Sequence, residues 1–254
     1  NTQANGISSI AGGSSAVANG NNSIALGSLA TADGLSSLAI GIGNCLPGAP
    51  SAYANGQGAA AIGCVEANAD GAMAFGYNNY VNANSSVAVG GNLTVNSTGG
   101  VALGTNNTIA VASNYATVFG TNNTVQTLAA GSTVFGNNNV AQSGGSYATV
   151  FGNSNSTDSY LSTVFGGNNV IQNSSDASVV FGTGNTIDNS IISSASGQEN
   201  TINNHEHGMA WGFRNDIVAS SLVIPINDLD VTVWGYSNTG AGNSTTVFGS
   251  TNSA

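Results

Sequence analysis

Basic residues are almost missing from this chain. Lysine and arginine together amount to one residue, Arg214, among 254, and charged residues of either sign make up 5%. A soluble globular domain carries about a quarter charged residues, so solubility here must rest on Asn, Ser and Thr. The formal net charge of −10 leaves no cations to displace counterions from a polyanion, which excludes nucleic acid as a partner. The same deficit argues against docking on an anionic lipid surface. No apolar run approaches the ~20 residues of a membrane helix, and no export signal opens the chain. It reads as a mature or excised segment that makes no direct membrane contact, its signal and anchor lying elsewhere.

Catalytic equipment is equally sparse. There is no Ser-His-Asp order in a fitting context, no phosphate loop of the form GxxxxGK[ST], and no GGxGxD calcium repeat. The 11 carboxylates are scattered and identify no acid pair for sugar hydrolysis. No enzyme activity, catalytic residue or cofactor is expected. His205-Glu206-His207 is the one histidine cluster, and on a strand residues 205 and 207 would share a face. Two histidines without a further ligand make a poor metal site, so an exposed turn is the better reading and no metal is expected.

Cysteine is limited to Cys45 and Cys64, and proline to 3 residues. Both cysteines and two of the prolines, Pro47 and Pro50, fall in or beside one stretch, 42–62, whose natural reading is a loop bulging from one repeat and stapled to the next by a Cys45–Cys64 disulfide, with free buried thiols the alternative and a zinc pair lacking further ligands nearby. Such a bond places the chain in an oxidising compartment.

What the chain has in abundance is repetition. A short phrase ending in Gly recurs as SIALG at Gly27, SLAIG at Gly41, SVAVG at Gly90 and GVALG at Gly104, then as ATVFG at Gly120 and STVFG at Gly136. Counting from Gly12 to Gly249 gives 16 anchors spaced 15, 14, 22, 13, 14, 14, 16, 16, 16, 14, 16, 15, 15, 23 and 14 residues apart. A period this short cannot bury its own apolar face, so each repeat must stack on the next, as in a solenoid. High Gly, Ser and Asn content alone would suggest disorder. Against that, 41% of residues are hydrophobic, and they sit at fixed offsets from each Gly.

Within a repeat, the residues before the Gly alternate with the period of a strand. Ile24 and Leu26 point one way, Ser23 and Ala25 the other. An Asn-rich turn follows, such as GTNN from Gly104, because Gly and Asn accept left-handed backbone cheaply. A second short strand comes next, as in Thr108-Ile109 or Thr186-Ile187, and Ser, Asn and Gly return the chain to the next phrase. Each repeat is therefore a flattened coil of two strands and two turns, and stacked coils form parallel sheets. Ile, Val, Leu, Ala and later Phe are expected inside. The small residues Ala25, Ala39, Ala61, Ala74, Ala88 and Ala102 are expected on an outer face where chains approach one another. On that reading Thr117, Thr133, Thr149 and Thr163 share the interior with Phe119, Phe135, Phe151 and Phe165, which argues against an exposed, ice-binding Thr array.

The phrases from Asn22 to Gly41, Gly71 to Gly90 and Gly99 to Ala110 resemble the head repeats of trimeric autotransporter adhesins, the YadA-like heads of Gram-negative surface proteins. The resemblance is close over the first ~110 residues and continues in architecture from Asn114 to Gly182, with TVFG replacing the usual phrase. It implies a left-handed parallel β-roll of about 16 rungs assembled as a homotrimer, one head spanning 1–254 that projects from the outer membrane of a bacterial cell. The stretch 213–234, with Pro225, breaks the period and reads as an irregular insertion.

The resemblance also implies attachment to host matrix proteins such as collagen, fibronectin or laminin, to cells, or to surfaces. The counterparts of collagen-linked phrases place candidate ligand contacts at Asn22, Ser23, Ser36, Ser37, Ser85 and Ser86, although the same phrase is the structural consensus of the rung. A receptor-binding fibre of a phage or virus meets similar physical demands and is the alternative. Asn-x-Ser/Thr sequons recur, among them Asn84, Asn106, Asn155 and Asn243, as Asn-rich turns generate them by chance.

Overall fold

The structure, a computed structural model, describes residues 1–43, 45, 51–218, 230–242 and 244–254. Every regular element among the described residues is a β-strand. The 16 sequence anchors bound an all-β parallel solenoid of about 15 turns. Contacts divide the chain into two compact units, Asn1–Thr127 and Leu128–Ala254.

In the first unit each coil supplies one strand to each of two parallel ladders. The anchor ladder contains Leu38–Ile40, the start of Ala60–Ala67, the start of Met73–Val81, Val87–Gly91 and Val101–Thr105. The second ladder contains Val17–Ala18, Thr31–Ala32, Tyr53–Ala54, Thr94–Val95 and Thr108–Ile109. Like residues pair with like: Ala74 with Ala88 and Ala88 with Ala102, Gly76 with Gly90 and Gly90 with Gly104.

The anchor must be Gly for two reasons, both visible at Gly90. Its φ is +137°, and a Cβ there would fall on the carbonyl oxygen of Gly104 in the next coil. The turn that follows holds Asn92 and Asn106 at φ 55° and 56°, and Asn tolerates that left-handed region better than most residues. One coil omits this turn residue: Ala60–Ala67 runs on as a continuous strand, with a register shift between Cys64 and Val65 against its neighbour. That omission accounts for the single spacing of 13. The difference between the spacing of 14 from Gly152 and that of 16 from Gly166 sits in the return turn, as the path from Thr157 to Thr163 is two residues shorter than that from Ile171 to Val179.

The interior is the reverse of the expected one. Ala25, Ala39, Ala61, Ala74, Ala88 and Ala102 are completely buried, whereas Ile10, Leu26 and Val89 face outward and are substantially exposed. Two strands back to back leave room for small side chains at the anchor ladder, and the branched ones turn out. The second ladder has more room: Val81, Val95 and Ile109 are fully buried there. Burial of each such side chain stabilises by about 2 kcal/mol.

The second unit repeats the plan with a larger core. Val134, Val150, Val164 and Val180 line the anchor ladder, and Ile171, Ile187, Ile202 and Ile217 the second. At the buried corner after the anchor stand Asn155, Asn169, Asn185, Asn200, Asn215 and Asn238. Each Oδ1 accepts the backbone N–H of the Asn in the next coil, as Asn155 does from Asn169 at 3.0 Å and Asn169 from Asn185 at 3.0 Å. Each Nδ2 donates to carbonyls on both sides, as Asn169 does to Phe165 at 3.3 Å and Gly182 at 2.8 Å. Buried polar groups persist only when paired, and the coil stack pairs them. A second ladder uses serine: Ser159 Oγ accepts the N–H of Ser175 at 2.9 Å, and Ser175 Oγ that of Ser190 at 3.0 Å.

Cys45 and Cys64 are joined. Of the expected loop at 42–62, residues 53–54 and 60–62 belong to the two ladders, while residues 44 and 46–50 lie outside the described residues. Of the expected insertion at 213–234, Asp216–Val218 and the residues from Val231 onward are regular rungs, pairing with Thr201–Asn203 and Gly208–Phe213. Residues 219–229 lie outside the described residues.

Candidate functional site

The coils leave their outward faces as the chain's available chemistry. On the anchor ladder of the second unit, Phe135, Phe151, Phe165 and Phe181 stack ring on ring, with centroids 4.8, 5.0 and 5.2 Å apart and planes within 11° of parallel. Further on, Trp211, Trp234 and Phe248 continue the same register and are all exposed. This corrects the expectation of buried Phe: the alternation that sends Val150 inward sends Thr149 and Phe151 outward together. The same register in the first unit holds Leu26, Ile40, Phe75, Val89 and Leu103.

The six candidate contact residues separate by side. Asn22, Ser36 and Ser85 are exposed and stand at φ 56°, 55° and 53°, each donating its N–H to the preceding coil at 2.8–2.9 Å. Ser23, Ser37 and Ser86 are buried within the coil. Ser86 Oγ donates to the Ser97 carbonyl at 2.8 Å, whereas the hydroxyl oxygens of Ser23 and Ser37 are buried without a partner.

His205 and His207 do not share a face. Both Asn204 and His207 have left-handed φ, so the segment turns between them. His205 is 2% exposed, with both ring nitrogens buried and unpartnered. His207 lies outside with Nδ1 3.3 Å from Asp230. Among the described residues no three His, Cys, Asp or Glu side chains gather as a metal site. Of the sequons, Asn84 and Asn106 are exposed, Asn155 is buried in the Asn ladder, and Asn243 lies outside the described residues.

Electrostatic perturbations are few. Arg214 is paired with Glu199 at 2.6 Å and lies 4.6 Å from the Phe213 ring centroid. Hydrogen bonding to Arg214 lowers the Glu199 carboxyl from its ordinary range. Burial raises the Asp216 carboxyl. Burial, and then the neighbouring carboxylates of Asp33 and Glu66, raise the Tyr53 phenol. Among the described residues no helix is long and apolar enough to cross a membrane.

Stacked two-strand coils, fixed by glycine anchors and closed by Asn turns, define a parallel β-solenoid. A family model described as the YadA head domain repeat (2 copies) matches residues 4–30, 18–44 and 67–92, all in the first unit. The chain carries YadA-like head repeats, as its phrases led us to expect. That family is an adhesin family, generally non-enzymatic and exposed at the cell surface, which suggests an adhesin-like function. A search of curated proteins finds no match to the chain.

Proposed function

We propose that the chain is the head of a bacterial surface adhesin: a left-handed, non-catalytic roll that assembles as a homotrimer and attaches its cell to host matrix proteins, to other cells or to surfaces. The observation that carries this reading is the YadA head repeat match on coils with broad outward faces. The outward row of apolar side chains, half-buried Phe151 and Phe165 and exposed Phe181 among them, supports self-association, because a monomer rarely leaves so continuous an apolar surface in water. The exposed turn residues Asn22, Ser36 and Ser85 are the parts of the candidate phrases that a matrix protein would meet.

The test is retention of the purified head on immobilised collagen, fibronectin, laminin and cultured cells, compared with uncoated plastic. Saturable binding to at least one is expected. Absence of retention on every surface, plastic included, would sink the adhesive reading.

A further inference from the structure

One turn of each coil holds a residue in left-handed backbone, and in several coils that residue is bulky and apolar. In the first unit the left-handed position before the anchor strand is held mostly by Asn22, Ser36, Gly58, Gly71, Ser85 and Gly99, small residues that accept it at little strain, and once by Tyr115 at φ 62°. At the same position in the second unit, beside Gly131, Ala177 and His207, stand Tyr147 at φ 56°, Leu161 at 54° and Ile192 at 50°. Bulky residues are rare there and a β-branched one is a true outlier, so folding alone would favour Asn or Gly. All three are exposed, Tyr147 and Ile192 at 57% each. Strain maintained to display apolar side chains in water points to a binding surface.

The surface is also prepared in detail. The Tyr147 ring lies across Gly131, where a Cβ would stand 2.7 Å from the ring. Tyr160, also exposed, meets Tyr147 edge to face, with ring centroids 5.8 Å apart and planes at 89°. Acidic groups flank the rings. Asp176 Oδ1 accepts the Tyr160 N–H at 2.9 Å, and Asp158 Oδ2 accepts the Asn173 N–H at 3.3 Å. No cation of this chain balances them, because its one Arg is paired with Glu199 and it has no Lys.

From this we infer that the turn edge marked by Tyr147, Tyr160, Leu161 and Ile192 binds a cationic amphipathic segment of a partner protein. Lys or Arg groups would lie over the tyrosine faces and beside Asp158 and Asp176, with apolar side chains on Leu161 and Ile192. The inference rests on the adhesive reading and names the partner chemistry for one of its surfaces.

The experiment uses the full chain and a synthetic Lys/Leu/Tyr peptide, with a second peptide in which every Lys is Glu, followed by fluorescence anisotropy. The Lys peptide is expected to bind at least about tenfold more tightly than the Glu peptide, and to weaken with added salt. The double variants Tyr147→Ser/Tyr160→Ser and Asp158→Asn/Asp176→Asn should each weaken it by about tenfold. Asp33→Asn/Asp70→Asn, of equal charge change in the first unit, should leave it unaltered. Ile192→Asn should weaken binding while raising the thermal midpoint, which a purely structural role would not produce. Equal binding of the two peptides, equal loss from both Asp pairs, or salt-insensitive capture of a neutral polysaccharide overturns the inference. If the peptide fails while the head still holds matrix proteins, only this inference falls.

Discussion

Asn169 donates both its backbone N–H, at 3.0 Å, and its side-chain N–H, at 3.1 Å, to the Oδ1 of Asn155 one coil earlier. The pair is one step of a ladder that runs on through Asn185 and Asn200, each asparagine completely buried. A buried amide makes several hydrogen bonds here that water would otherwise supply, and it ties three successive coils together.

Asn169→Ala should therefore be severe. It removes the acceptor of the Asn185 N–H and a donor to the Phe165 and Gly182 carbonyls. Buried groups left unpaired cost about 1–3 kcal/mol each, so a loss of about 3 kcal/mol or more is expected in denaturant melts. A loss under about 1 kcal/mol would show that the ladder contributes little.

Gly90→Ala should prevent the first unit from stacking properly. The added Cβ meets the Gly104 carbonyl, and φ +137° lies outside what Ala adopts. Strain of this kind costs about 1–3 kcal/mol before the steric overlap is counted. Circular dichroism melts of the variant should show a large drop in midpoint, and an unchanged melt would contradict the geometry.

Cys64→Ala removes the staple to Cys45, which closes a sequence separation of 19. The chain-entropy model gives a loss of about 3 kcal/mol. Reductant should lower the thermal midpoint of the parent protein and have no effect on the variant.

Asp216 stands in register between Thr201 and Thr239, and burial raises its carboxyl pKa. A raised folded-state pKa gives a contribution present below the unfolded value, near 4, and lost as pH rises through the folded value. Asp216→Thr should therefore raise the thermal midpoint at pH 7 and change it little at pH 3. A larger gain at pH 3 than at pH 7 would reverse the sign and refute the assignment.

Phe151 and Phe165 stack at 5.0 Å on the outward face. Phe151→Ser/Phe165→Ser should shift the head toward monomer in sedimentation, while the buried Val150 and Val164 keep the coil folded. A parent head that sediments as a monomer at micromolar concentration would remove the case for this face as the association surface.

Much of this architecture was legible in the chain. The glycine spacing marked the coils, and the Gly-Asn pairs marked the turns, because left-handed backbone narrows the choice of residue to very few. The chain's two cysteines, one inside an overlong interval and one just past its end, marked the disulfide. The contact phrases were legible only as rungs, since Ser23 and Asn22 look alike in sequence while one is buried and the other exposed. The exposed Tyr147 and Ile192 carried no warning, as nothing in their neighbours announces a positive φ.

The sequence by itself determined the period, the two strands of each coil and the alternation of sides, all local properties of the backbone and its turn residues. Only the tertiary structure decided which side is the inside. A period of two divides Ile24 from Ala25 without saying which is buried, and hydrophobicity favours the larger one. The width left between two stacked ladders admits the alanine, so the Ile, Leu and Phe rows of the anchor ladder turn outward.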